Sequence, residues 1–458
     1  MMTIYLLSWI QFIAPKNRYK TIVDIYAANI RSGQLAAGER LPTHRELAKK
    51  ESIALVTASR VYLELEEMGL ISGEIGRGTF VREIGLPFGH GIDQIATSTD
   101  MMDLSFNYPT LPNQTDLLRN SLRKLASSGD LESLLRYQPH AGRRHERTII
   151  AKHLLKRGLN VDAEQISIVS GAQHGLACTA IALLNPGDVV AVDALTYPGF
   201  KVVAEAHHLE IVPIPMTEQG PDLDALLNLC QTRNIRAVYT MPTLHNPMGW
   251  VMCMEQREKL ASIAKKQNLI IIEDAAYAYL AENPPPPIAS LATDNTIYVS
   301  GFSKNIATGL RIGFVVTPLK WLSNIERSIR ATTWNTPALI TAITCSWIED
   351  GTVDLLEKEK HEDAKKRQAI AREIFKESPH ISHASSYFLW LPLPEEVRAD
   401  KIVLALAKLH ISISTAEPFS TSEHFPQAIR LALGSVELQQ LAPTLKIVKQ
   451  VIDLHSDY

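Results

Sequence analysis

Cysteine is scarce in this chain. Cys178, Cys230, Cys253 and Cys345 are the only four in 458 residues, with no C-x-x-C pair and no metal-ligand spacing. That excludes a disulfide framework or a cysteine-built metal site and leaves reduced thiols as the expectation, with no metal. Long apolar runs are missing too: no stretch approaches the roughly 20 apolar residues of a membrane-spanning helix. The N-terminal apolar stretch Ile4–Ile13 is interrupted by Ser8 and Gln11. It lacks a basic flank and a small-residue cleavage site, which argues against a secretory signal. The expectation is a cytoplasmic protein without a membrane partner. Nor does one sign of charge dominate, the formal net charge being −3.

The distribution of charge says more than its total. Up to Arg82 there are eleven Lys/Arg against eight Asp/Glu, so that part is near +3 and the remainder near −6. Mild basicity confined to one end fits a small nucleic-acid module on an acidic body. The length calls for more than one core, and 46% hydrophobic with 21% charged residues is ordinary globular composition.

Residues 1–82 read as the small module. Tyr19–Ile30 places Ile22, Ile25, Tyr26 and Ile30 on one helical face. Thr43-His-Arg-Glu46 has the spacing of a capping box and opens a short helix. A second helix is expected over Leu55–Met68, followed by two β runs around Gly76-Arg77-Gly78. Helix, tight turn, helix and glycine-tipped hairpin is the order of a winged helix-turn-helix, which sets one helix in the major groove and a hairpin cation near the backbone. Residues 83–100 are rich in loop-forming residues, hold His90 and read as a linker.

Residues 101–458 alternate apolar runs with amphipathic stretches. Gln165–Val169, Val189–Val192, Ile211–Ile214, Ala237–Thr240, Leu269–Ile272 and Thr296–Val299 are the predicted buried strands. Such alternation predicts an α/β fold with a largely parallel sheet, whose ligands sit beyond the carboxyl ends of the strands. The unusual residues lie at those ends. Gly171, Ala172 and Gln173 open a helix and offer backbone N–H groups to a phosphate. Tyr197 stands on a turn and Asn246 follows a strand. Asp274 follows LIIIE with Tyr277 three residues on, and a buried carboxylate there needs a cation. Lys304 follows Thr296–Val299 among small residues, where an amine can lose its proton and attack a carbonyl carbon. Arg311 follows between Gly309 and Gly313.

Two resemblances tie these features together. ERLPTHRELA, VTASRVYLELEEMGLI and GRGTFV resemble the GntR family of regulators. This implies operator DNA as a partner and Arg45, Thr57, Arg60, Gly76, Arg77 and Gly78 as the DNA-contacting positions. The chain departs from the family at Ala54-Leu55, where Ser-Arg is common. The ordered set SGAQ, YPG, NPMG, EDxxY, SK and R resembles the fold-type I aminotransferases. That implies pyridoxal 5′-phosphate, with Gly171, Ala172, Gln173 and Arg311 on the phosphate and Tyr197 stacked on the ring. Asn246 and Tyr277 would meet the phenolic oxygen, Asp274 the ring nitrogen, and Lys304 would form the Schiff base. Arg430 matches the arginine that binds a substrate carboxylate, and Tyr137, in Y-x-x-x-x-G, the tyrosine that reaches a neighbouring subunit's phosphate, which implies a homodimer. Gly301 departs from a Ser or Thr that usually helps hold the phosphate, with Ser300 and Ser303 as possible substitutes.

The fusion resembles the MocR subgroup of bacterial regulators. It implies a winged helix-turn-helix joined to an α/β aminotransferase-like domain that senses pyridoxal phosphate or an amino compound as an aldimine. Two alternatives stay open at this point: a working aminotransferase, and a regulator whose large domain no longer takes the cofactor.

Overall fold

The computed structural model describes residues 18–31, 34–36, 39–74, 78–81, 101–109, 111–127, 131–217, 220–394, 397–422 and 425–456. The linker 83–100, Gly76, Arg77 and the apolar stretch Ile4–Ile13 lie outside the described residues.

The small module packs α1 (Arg18–Arg31), α2 (His44–Lys50) and α3 (Leu55–Glu67) beside a hairpin of β1 (Ile71–Glu74) and β2 (Gly78–Val81). Three of the four predicted α1 residues, Ile22, Tyr26 and Ile30, form its core with Leu47, Val61, Leu65 and Ile71, whereas Ile25 is exposed, one position off the buried stripe. The capping box forms: Glu46 N–H donates to Thr43 Oγ1, and Thr43 N–H donates back to the Glu46 carboxylate at 2.7 Å. Two of the four unsatisfied N–H groups at the start of α2 are thereby met, which fixes where the turn into α2 ends.

The large domain begins with β3 (Met102–Leu104). There follow α4 (Arg144–Leu155), β4 (Ile166–Val169), α5 (Ala172–Leu183), β5 (Val189–Asp193), α6 (Pro198–Ala206) and β6 (Glu210–Ile214). Then come β7 (Ile235–Thr240), α7 (Met254–Gln267), β8 (Ile270–Asp274), β9 (Thr296–Gly301) and β10 (Gly313–Val316). These strands form a seven-stranded sheet in the order β4-β10-β9-β8-β7-β5-β6, parallel except that β10 runs against both neighbours. All six predicted strands are present. The antiparallel β10 was not predicted, because GFVV follows the lysine segment too closely to stand out as a separate run.

After α8 (Thr352–Ile374) the chain builds a second lobe. It holds β11 (Ile381–Ser382), β12 (Phe388–Pro392), α9 (Ala399–Ala407), β13 (Ile411–Thr415), β14 (Ala428–Ala432) and α10 (Leu438–Ser456). Its sheet runs β11-β12-β14-β13-β3, so the first strand of the domain completes the last lobe. Leu389, Leu431, Ile413 and Leu445 share its buried core. Among the described residues no helix is long and apolar enough to cross a membrane.

Candidate functional site

Strand alternation sorts two adjacent carboxylates. Along β8, side chains alternate between sheet faces, so Glu273 and Asp274 part company. Glu273 accepts from the Ile288 and Ala289 N–H groups at 3.1 and 2.8 Å. Asp274 instead lines a cavity of about 630 Å³ at the carboxyl end of the sheet. Its carboxylate accepts from Tyr239 Oη at 2.9 Å and from Ala276 N–H at 3.0 Å. Burial pushes its pKa up to about 6, against the pull of those two bonds.

The same cavity is lined by Ala172, Gln173, Tyr197, Asn246, Tyr277, Lys304, Arg311 and Arg430. The predicted residues therefore converge from β4, β5, β7, β8, β9 and β14 on one place. Lys304 Nζ donates to the Asn107 carbonyl at 2.9 Å and lies 5.8 Å from the Tyr277 ring centroid. Burial lowers its pKa to about 8, and the nearby Arg430 and Arg311 cations add to the effect. Its backbone is held from behind: Lys360 Nζ and Tyr279 Oη both donate to the Lys304 carbonyl.

One end of the cavity is an anion cradle. Gly171 has φ +90°, and a Cβ there would stand 2.7 Å from Arg311 Nη2. Glycine is thus needed both for the backbone turn and for the guanidinium. Arg311 Nη1 donates to Ser303 Oγ at 3.3 Å, whereas Ser300 Oγ donates to the Ala275 carbonyl. Of the two serines near Gly301, Ser303 is the one that reaches the cradle. The N-terminus of α5 opens onto it with its first N–H groups, which favours negative charge.

The other end belongs to Arg430, buried at 5% exposure. It donates to Asn246 Oδ1 and Ser414 Oγ at 3.2 Å each and to the Ser105 carbonyl. Burial lowers its pKa to about 10, which leaves it a cation at neutral pH. Arg430 Nε and Gln173 Oε1 are buried polar atoms without a partner. Each is an unmet hydrogen-bonding group at the edge of the cavity.

Tyr137 does not line this cavity. It is 85% exposed, 5.7 Å from the Trp334 ring centroid. Asn107, Ser105 and Tyr239, all engaged at the site, were missed by sequence reading. Asn107 stands on the loop after β3 and Tyr239 is the next-to-last residue of β7, and neither position carries a local signal. Also unread was the fully buried Asp193–His245 pair, 3.2 Å apart, with His245 stacked on Trp250.

On the small module Arg45 and Arg60 are exposed and Thr57 is half-buried. The Arg60 guanidinium lies 4.3 Å over the Tyr19 ring. Gly78 has φ +120°, and a Cβ there would meet Arg40 Nε at 2.7 Å, so glycine here makes room for Arg40. The module also touches the second lobe. Arg398, at the N-terminus of α9, bonds to Glu64 of α3 and Asp24 of α1, and Lys401 pairs with Glu67.

Known proteins share both parts. The description "Aminotransferase class I and II" matches residues 99–446, and "Bacterial regulatory proteins, gntR family" matches residues 18–81. The chain is 28% identical to the HTH-type transcriptional regulator YdeF of Bacillus subtilis, over 98% of each chain. It is 26% identical to the HTH-type regulator YjiR of Escherichia coli, over 90% of this chain and 94% of that one. Among solved structures it is similar to the kynurenine aminotransferase of Pyrococcus horikoshii. The TM-score is 0.73 and the identity 24%, covering 78% of this chain and 92% of the other. The chain belongs to the class I and II aminotransferase family, here joined to a gntR-type helix-turn-helix domain in the arrangement of the MocR-type transcriptional regulators.

Proposed function

We propose that residues 1–82 bind operator duplex DNA, that 83–100 link, and that the cavity of residues 101–458 senses a carboxylated amino compound through pyridoxal phosphate. The observation that carries the reading is the sharing of one lobe. The lobe that carries Arg430 in the cavity also carries Arg398, which holds helix α3 of the module.

Pyridoxal 5′-phosphate is the cofactor that the aminotransferase family implies, and the residues present fit it. The cradle that a Cβ at Gly171 would fill, the unpartnered Gln173 and Arg430 atoms, and the buried Asp274 match its phosphate, its substituents and its ring nitrogen. When bound, this group supplies an aldehyde carbon open to amines and a ring that draws electron density. Gly171, Ala172, Gln173 and Arg311 would take the phosphate, and Tyr197 would stack on the ring. Asn246 and Tyr277 would meet the phenolic oxygen, Asp274 would hold the ring nitrogen protonated, and Lys304, its pKa lowered to about 8, would supply the amine for the aldehyde carbon. Arg430 takes the carboxylate of an incoming amino compound.

A ligand held between Lys304 on one lobe and Arg430 on the other favours the arrangement in which both contacts are made. Arg398 passes that preference to α3, and two such modules in a homodimer are respaced on DNA. The exposed Tyr137 beside Trp334 supports contact with a second copy. Duplex DNA as the target supports a cytoplasmic location. A second reading, a working aminotransferase, is favoured by Lys304 itself, which is poised for chemistry as well as for binding.

The test is absorption spectroscopy of wild type and Lys304→Ala with pyridoxal phosphate, titrating amino acids and amines, with DNA footprinting in parallel. The expected result is a Lys304-dependent visible band shifted by one class of amine without keto-acid production, together with a footprint. No Lys304-dependent band sinks the cofactor reading. Steady keto-acid production without a footprint favours the enzyme.

A further inference from the structure

The first two turns of α3 are where a helix-turn-helix meets base edges. Their outward residues here are unusual. Val56 is 81% exposed and Leu55 47% exposed, side by side at the helix N-terminus. The polar neighbours are occupied within the protein. Ser59 Oγ is 3.0 Å from His44 Nδ1, and Arg60 lies on the Tyr19 ring. Thr57 is half-buried, and Ala54, the residue preceding the helix, makes no side-chain cap. The far half of α3 is engaged elsewhere, through Glu64 and Glu67 on the second lobe.

We infer that Leu55 and Val56 read thymine C5-methyl groups in the major groove, so that the operator half-site is specified there by T rather than by hydrogen-bonded G or A. Two adjacent apolar side chains offer no donor or acceptor to a base edge. In the major groove the apolar feature is the thymine methyl. Arg45 and Lys49 are exposed on α2, the helix packed against α3, and cations on the neighbouring helix suit a groove walled by phosphates. This inference rests on the DNA-binding reading and deepens it.

The test uses the full chain with pyridoxal phosphate and a randomised duplex pool. In the enriched duplex each thymine is replaced in turn by deoxyuridine, which lacks only the methyl. One or two thymines per half-site are expected to lose about fourfold in affinity each, the worth of one buried methyl. Val56→Ala and Leu55→Ala, both surface changes, are expected to bind the thymine and uracil duplexes alike while keeping their salt-dependent binding. An affinity unmoved by uracil at every position overturns the inference, as does a loss that persists undiminished in both variants. Failure to enrich any duplex overturns it together with the DNA-binding reading.

Discussion

Arg398 Nε donates to Glu64 Oε1 at 2.6 Å, while Arg398 Nη1 donates to Asp24 Oδ1 at 3.0 Å. The arginine is 5% exposed in its side chain, Glu64 13% and Asp24 29%. One buried guanidinium thus clasps two helices of the module to the head of α9. From there the chain runs through β13, where Ser414 accepts from Arg430.

Removing the clasp tests its worth. Arg398→Ala leaves Glu64 short of its cation, and the docking of the module is expected to weaken by about 1–3 kcal/mol. Calorimetry is expected to resolve a separate, earlier transition for the module. A double-mutant cycle with Glu64→Gln would report the coupling directly. Unfolding in one step at the wild-type temperature would show that Arg398 is not the clasp.

Lys304 costs the cofactor-free protein stability. Its folded pKa, about 8, lies below the usual lysine value. Between pH 8 and that usual value, about 10.4, the unfolded chain keeps a proton that the native lysine has lost, so stability rises with pH across this window. Below pH 8 the penalty for a buried ammonium is present in full. Lys304→Met is expected to stabilise the apoprotein at pH 7 by about 1–3 kcal/mol and to flatten the rise above pH 8. Denaturant titrations of both proteins at pH 7 and pH 9.5 would check this; a mutant less stable than wild type at pH 7 contradicts it.

Asp274 behaves in the opposite sense. Its folded pKa of about 6 lies above the ordinary aspartate value. Apoprotein stability from this group is therefore lost as pH rises from about 4 through 6. The carboxylate formed above pH 6 is the species that pairs with a protonated ring nitrogen. Retention of pyridoxal phosphate is expected to strengthen as pH rises through 6. Asp274→Asn should weaken it at least tenfold, which is about 1.4 kcal/mol. Equilibrium dialysis at pH 5 and pH 7.5 would measure both effects.

Gly301 and Ser303 divide the role expected of one hydroxyl. A Cβ at Gly301 would stand 3.1 Å from the Ile312 carbonyl oxygen and 3.3 Å from Ala172 N. Restoring a serine there, Gly301→Ser, is expected to cost about 1 kcal/mol of stability through crowding and to bring no gain in cofactor retention. Ser303→Ala removes the acceptor of Arg311, and retention should fall about threefold to tenfold. A tighter-binding Gly301→Ser variant would refute the division.

Arg430 tests the proposed carboxylate contact. Arg430→Lys keeps a cation but loses the planar fork that grips a carboxylate with two parallel bonds. The absorption band with pyridoxal phosphate is expected to survive. The preference for amino acids over their decarboxylated amines should drop at least tenfold. An unchanged preference would remove Arg430 as the carboxylate contact.

Most of the fold was legible because it rests on local rules. The capping box at Thr43 and Glu46, the six buried strands and the glycine at 171 follow from hydrogen bonding, periodicity and backbone freedom within a few residues. The site was legible in part, because its residues sit at strand ends in a fixed order along the chain. Long-range pairing was not. Asn107 meets Lys304 across 197 positions and Arg398 meets Glu64 across 334.

The sequence by itself determined which chemistry is present: a lysine among small residues, a carboxylate at a strand end, a guanidinium after it, and a module shaped for DNA. Only the tertiary structure decided the state of those groups. Burial together lowers the pKa of Lys304 and raises that of Asp274, because desolvation acts on charge wherever the chain has brought it. It also decided that Arg398 is a clasp rather than a surface charge, since a guanidinium gains a fixed partner only when folding brings one to it.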